Sequence, residues 1–167
     1  DGNSAAIEAA LAEKLPEWEA LDLVPNELLP MDTESWTHGN TPAQYDATDF
    51  LALFSPRQLL CHGTSVEIFR ELVEEENVRS GEFSDLQRAS LVYVALSIDT
   101  LLNYNSRSCR WDSTILRVRS VFDRHDFAFK VSYAEMAAMV SGVGYDWAFE
   151  KTSRCIGELV ELIAPSS

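Results

Sequence analysis

The spacing of apolar residues along the chain predicts helices. Ile7, Leu11 and Leu15 fall on one stripe and predict a short helix over Ser4–Leu15. From Ser55 the period is again helical: Leu59, His62, Val66, Phe69 and Val73 recur at that spacing. Ser55 is placed to cap, Pro56 suits the first helical position and Gly81 punctuates the end. Asp85 to Asn103 carries Leu86, Ala89, Val92, Ala95, Leu96, Leu101 and Leu102, with Leu91 and Val94 on other faces. An apolar surface nearly all round predicts a central, buried helix. A last helix is expected from about Tyr145 to Ile163, with Trp147, Phe149, Ile156, Leu159, Val160 and Ile163 facing inward.

Two stretches break the period. Pro25 to Gln44 reads as an extended, turn-rich arm pinned by Trp36 and Tyr45. Ile115–Phe122 and Phe127–Val131 alternate apolar and polar around Asp123-Arg-His-Asp126. This is the pattern of a short β-hairpin around 115–131, or of a helix end followed by an extended segment. The expected fold is all-α, mostly helical, with that hairpin as an addition. An acidic N-terminal helix and arm (1–52) and a helical core (53–167) together form one domain.

Charge changes the picture. Over 167 residues, 13 Lys and Arg face 27 Asp and Glu, a net −14. The first fifty residues hold eleven acids and one base, Lys14. Only three residues are lysine, and an acidic, Lys-poor surface fits a halophilic cytoplasm, where salt screens self-repulsion. A plain solvated acidic domain explains the same numbers. Either way the overall field opposes nucleic-acid binding. Cys61, Cys109 and Cys155 are far apart and odd in number, which suits a reducing cytosol rather than a disulfide framework. No apolar run approaches the ~18 residues of a membrane span, and no signal-peptide pattern opens the chain.

Several chemistries find no support. Gly142-Val-Gly144 lacks the spacing of a dinucleotide fingerprint, and His38, His62 and His125 have no companion at metal-ligand spacing. His62 reads as a packed or capping histidine. One cluster stands out: Arg107, Arg110, Arg117, Arg119 and Arg124 lie among only Asp112 and Asp123. Tyr104 and Trp111 could stack beside them, and Asn103, Asn105 and Ser106 could hydrogen-bond. Guanidinium groups beside aromatics suit phosphates and unstacked bases. The alternative is that these arginines pair with carboxylates of the acidic arm and lock it to the core. Glu135, near Phe127, Phe129 and Tyr133, is a candidate acid or base, or else a helix-start residue or an arginine partner.

Three motifs carry a family resemblance: Leu53-Phe-Ser-Pro-Arg-Gln-Leu59, Asn105-Ser-x-x-Cys-x-Trp111, and Phe122-Asp-Arg124 leading to Tyr133-Ala-Glu135. From about Trp18 to Ile163 the chain resembles the central region of large adenine-specific DNA methylase-like proteins. Those proteins carry an N-terminal domain of unknown function and are often associated with prokaryotic defence loci. In that family an S-adenosylmethionine loop precedes this region and an Asp/Asn-Pro-Pro-Tyr catalytic motif follows it. This sequence has neither, and base methylation needs both. The resemblance therefore implies a non-catalytic insert whose partners are the rest of a methylase polypeptide and, through it, DNA. S-adenosylmethionine would belong to the parent protein. The competing expectation is a free-standing acidic helical module that binds a basic protein.

Overall fold

The computed structural model describes residues 2–30, 45–123 and 132–163. Four helices dominate: α1 (Gly2–Ala20), α2 (Pro56–Ser80), α3 (Asp85–Leu102) and α4 (Tyr145–Ile163). One antiparallel hairpin joins β1 (Arg110–Asp112) to β2 (Arg117–Arg119). The fold is mostly helical with a short hairpin, as the periodicity predicts. No helix among the described residues is long and apolar enough to cross a membrane.

Local chemistry sets the helix ends. Ser55 and Gln58 form a reciprocal capping box: Gln58 N donates to Ser55 Oγ and Ser55 N donates to Gln58 Oε1. Ser84 and Gln87 repeat the device at the start of α3. Gly81, at φ 73°, ends α2 in the left-handed region that glycine enters without strain. At the end of α1, Asp22 adopts φ 56° and Leu23 N reaches Trp18 O at 2.8 Å, a Schellman-type closure.

The chain divides into two compact units. One contains residues 1–68 and 102–136, the other 69–101 and 137–167. The first is built on Trp18, which is fully buried and packs with Leu23, Val24 and Leu59. This explains why α1 does not stop at Leu15. Pro16 removes one helical hydrogen bond, yet the helix runs on to Ala20 and carries Trp18 into the core. The indole Nε1 donates to Glu67 Oε1 on α2, and Lys14 Nζ pairs with Glu67 Oε2 at 2.5 Å. A second small core holds Leu29 and Ala47, with Tyr45 packed against them. The described ends of the arm meet there: Leu28 and Asp49 form an antiparallel bridge, and Leu29 N donates to Thr48 O. Trp36, placed as the arm's other pin, lies outside the described residues.

The second unit departs from its expected burial. In α3 only Ser97, Ile98 and Leu101 are buried, whereas Leu86, Val92 and Leu96 are exposed. The central position expected for this helix thus holds at its last turns alone. In α4 the buried residue is Ala148. Phe149, Leu159, Val160 and Ile163 were expected to face inward and are instead exposed, and Trp147 and Ile156 are half-buried. Periodicity identifies an apolar stripe but not what covers it. The glycines before α4 have a local role: Gly142 has φ 78° and its N–H is accepted by the Asp146 carboxylate. A Cβ on Gly144 would meet the Ala138 carbonyl oxygen at 1.8 Å.

The hairpin forms in a different register from the expected one. The predicted first strand supplies β2, and its partner among the described residues is Arg110–Asp112, upstream. Asp112 decides this: its Oδ1 accepts from both the amide and the hydroxyl of Thr114 and so starts the turn. Phe127–Val131, the expected partner, lies outside the described residues.

Candidate functional site

Asn105, in the second of the three motifs that carry the resemblance, is buried. Its side-chain oxygen accepts from Met136 N at 3.0 Å and, more weakly, from Gln58 Nε2 at 3.4 Å. Its carbonyl oxygen lies 2.8 Å from His62 Nε2. Since a carbonyl only accepts, the His62 proton sits on Nε2 and Nδ1 is left as an unprotonated acceptor. Nδ1 is buried without a hydrogen-bond partner among the described residues. Burial pushes the His62 pKa down, only partly opposed by the bond to Asn105, so the ring is neutral. Phe54 packs edge-on against it, ring centres 5.4 Å apart.

Around this centre the same motifs interlock. Ser55 Oγ donates to Glu135 Oε1 at 2.5 Å, and Arg57 Nη1 pairs with Glu135 Oε2 at 3.1 Å. Glu135 is therefore an arginine partner and a hydroxyl acceptor, the first of these being one of its three expected roles. Ala134 N donates to Cys109 O. Ser106 is buried with its N–H and hydroxyl on Cys109 Sγ, at 3.4 and 3.5 Å. Burial pushes the Cys109 thiol up, so it stays protonated at neutral pH and makes a poor nucleophile. Asn103 joins its O to Val121 N at 2.8 Å, fixing the chain beyond the hairpin.

The arginines separate into distinct roles. Arg107 holds the Leu51–Phe54 segment: its N–H reaches Leu53 O at 2.8 Å and its Nη1 reaches Ala52 O at 2.9 Å. Arg110 and Arg119 face each other across the hairpin and share two carboxylates. Arg119 Nε lies 2.9 Å from Asp112 Oδ2, and Arg110 Nη2 lies 3.0 Å from Asp123 Oδ2. The Thr114 and Arg119 hydrogen bonds hold the Asp112 carboxyl well below the usual carboxylate range. Among the described residues the acids that pair with Arg110 and Arg119 are thus the two aspartates of the same segment. Arg117 is exposed, and no ion-pair partner for it lies among the described residues. Trp111 is 55% exposed and pairs with Val118 on the opposite face of the hairpin. Arg124 lies outside the described residues.

Gln58 and Cys109 belong to this cluster beside the candidate residues, and His62 is buried in it, as its reading as a packed histidine expects. The signal that could have found Gln58 is its place three residues after Ser55, the spacing of a capping box. The burial of Cys109 had no such signal.

The strands among the described residues are one short antiparallel pair. Gly63 is filled by Trp18, and Gly81 and Gly142 serve helix ends. No group of three His, Cys, Asp or Glu that could hold a metal ion occurs among the described residues. No family model, curated protein or solved structure matches the chain.

Proposed function

We propose that this chain is a non-catalytic helical segment of a DNA adenine methylase-like protein, and that it braces the catalytic parts. The observation that carries this reading is the interlocking of the three resembling motifs, with Gln58 on Asn105 and Glu135 on Ser55 and Arg57. Their polar groups are engaged with one another, through Ser55–Glu135, Gln58–Asn105 and Cys109–Ala134. Groups held in internal bonds serve to fix a shape, and leave little for reacting with a substrate. The neutralised arginines favour bracing over DNA contact. Arg110 and Arg119 would have to abandon Asp112 and Asp123 to meet phosphates. Arg117 and the exposed Trp111 remain as contact points for the rest of the methylase.

The reading is tested at the locus and in solution. The open reading frame should continue upstream into a cofactor loop and downstream into a Pro-Pro-Tyr motif. The chain alone, incubated with labelled S-adenosylmethionine and unmethylated duplex DNA, should transfer no label. Saturable cofactor binding by calorimetry, or an uninterrupted frame lacking both motifs, would overturn it. The second of these results would favour the acidic protein-binding module, which the net charge of −14 supports.

A further inference from the structure

Three consecutive residues of the first unit, Ala134, Glu135 and Met136, each bind a different part of it. They belong to no helix or strand. Ala134 N donates to Cys109 O and Met136 N to Asn105 Oδ1, both at 3.0 Å. Amides two residues apart aim to one side, as in an extended chain. Between them the Glu135 carboxylate accepts from Ser55 Oγ at 2.5 Å and from Arg57 Nη1 at 3.1 Å. Glu135 as a residue is exposed, yet its side chain is only 27% exposed, so the backbone faces water and the carboxylate faces inward. The groups beneath are fixed, since Ser55, Asn105 and Cys109 are buried. Among the described residues, neither apolar core of this unit includes Tyr133, Ala134 or Met136. A surface segment held by hydrogen bonds and one ion pair, without a core anchor, opens well before the fold does. The ion pair holds it weakly, because Arg57 is 62% exposed.

We propose that this strap is a displaceable internal ligand, and that the groups beneath it form a recognition site for an extended acidic peptide of another protein. The strap itself displays the binding mode, which is that of a strand laid on an edge: main-chain bonds supply affinity and a side-chain pocket supplies specificity. Cys109 O and Asn105 Oδ1 accept amide protons two residues apart and read no side chain. Ser55 Oγ already accepts from Gln58 N, which leaves its proton to donate. Arg57 can only donate. Two donors ask for a group that only accepts, and between those amides that group is a carboxylate. While the strap is seated it competes at the millimolar effective concentration of a tethered ligand, and so keeps the site shut. This is binding without chemistry, and it does not rest on the bracing role.

Hydrogen exchange of the full chain tests the strap. The Ala134 and Met136 amides should open together, with protection at least about tenfold lower than that of Leu59 and His62 on α2. A fluorescein-labelled peptide of residues 132–137 tests the site by anisotropy. Glu135→Lys sets a second cation beside Arg57 and should free the site, so the peptide should bind this variant about tenfold or more tighter than the unaltered chain. Ala134→Pro deletes the donor to Cys109 O and serves the same purpose should Glu135→Lys fold poorly. The peptide with glutamine in place of its glutamate should bind at least about tenfold more weakly. The same loss is expected for the original peptide when Arg57→Gln is added to Glu135→Lys. Strap amides as protected as those of α2 would overturn the proposal. A peptide that saturates neither variant, or that binds equally well with glutamine, would overturn it too.

Discussion

Gly63 lies against the six-membered ring of Trp18: a Cβ at position 63 would stand 2.3 Å from Cζ3 and 2.5 Å from Cε3. Both residues are buried, and the contact joins α1 to α2. Mid-helix glycine costs roughly 1 kcal/mol of helix propensity relative to alanine, so Gly63 is kept for the space it leaves. Gly63→Ala should therefore destabilise the fold by about 1–3 kcal/mol in spite of that gain. Combined with Trp18→Leu, the two changes should be strongly non-additive in a double-mutant cycle of denaturant midpoints. Additive losses would remove this contact from the account of the core.

His62 makes stability depend on pH with a definite sign. Its folded pKa is depressed below the ordinary value by burial, so the unfolded chain binds the proton more readily. The contribution is fully present above about pH 6.5. It is lost as pH falls from there towards the depressed folded value, below which the loss stops. The melting temperature should fall over that window, and His62→Gln should show a smaller fall. Equal slopes in both proteins would place the titration elsewhere.

Arg110→Ala with Arg119→Ala should lower the melting temperature, because Asp112 and Asp123 lose their partners. Binding of duplex DNA by fluorescence anisotropy should not change. Were these arginines phosphate contacts, each lost contact would reduce the log–log salt slope by roughly one unit. Trp111→Ala, at an exposed position, should alter stability by no more than about 0.5 kcal/mol.

Leu116 occupies the left-handed region at φ 50° in the hairpin turn and is 72% exposed. A non-glycine residue there costs roughly 1–2 kcal/mol, with little buried side chain in return. Leu116→Gly should stabilise the fold by about 1 kcal/mol, read as a higher midpoint in urea.

The excess of carboxylates predicts a salt response. Circular dichroism melts should shift upward from low to molar salt, since ions screen the repulsion of a −14 chain. A flat or falling midpoint would remove the high-salt reading.

Helix existence and helix ends were open to reading because they depend on neighbours in sequence. The span Tyr145–Ile163 and the start at Pro56 follow from apolar spacing, a capping serine and a proline at the first turn. Gly81 marks a stop for the same local reason. The continuation of α1 past Pro16 was not open to such reading. The burial of Trp18 beneath α2 outweighs one lost backbone bond, and that contact joins residues 45 positions apart.

The same division separates the parts of the site. Sequence marked Asn103, Asn105, Ser106 and Glu135 as polar groups of interest, and showed an arginine cluster flanked by two aspartates. It could not show that Gln58 and His62 meet at Asn105, or that Ser55 meets Glu135, because each bond spans tens of residues. Nor could it show that Arg110 and Arg119 take Asp112 and Asp123. A two-strand register brings those four side chains together. Which residues are apolar, charged or helix-capping is written in the sequence. Which of them lie under another segment and which face outward depends on long-range contacts, and only the tertiary structure fixes those.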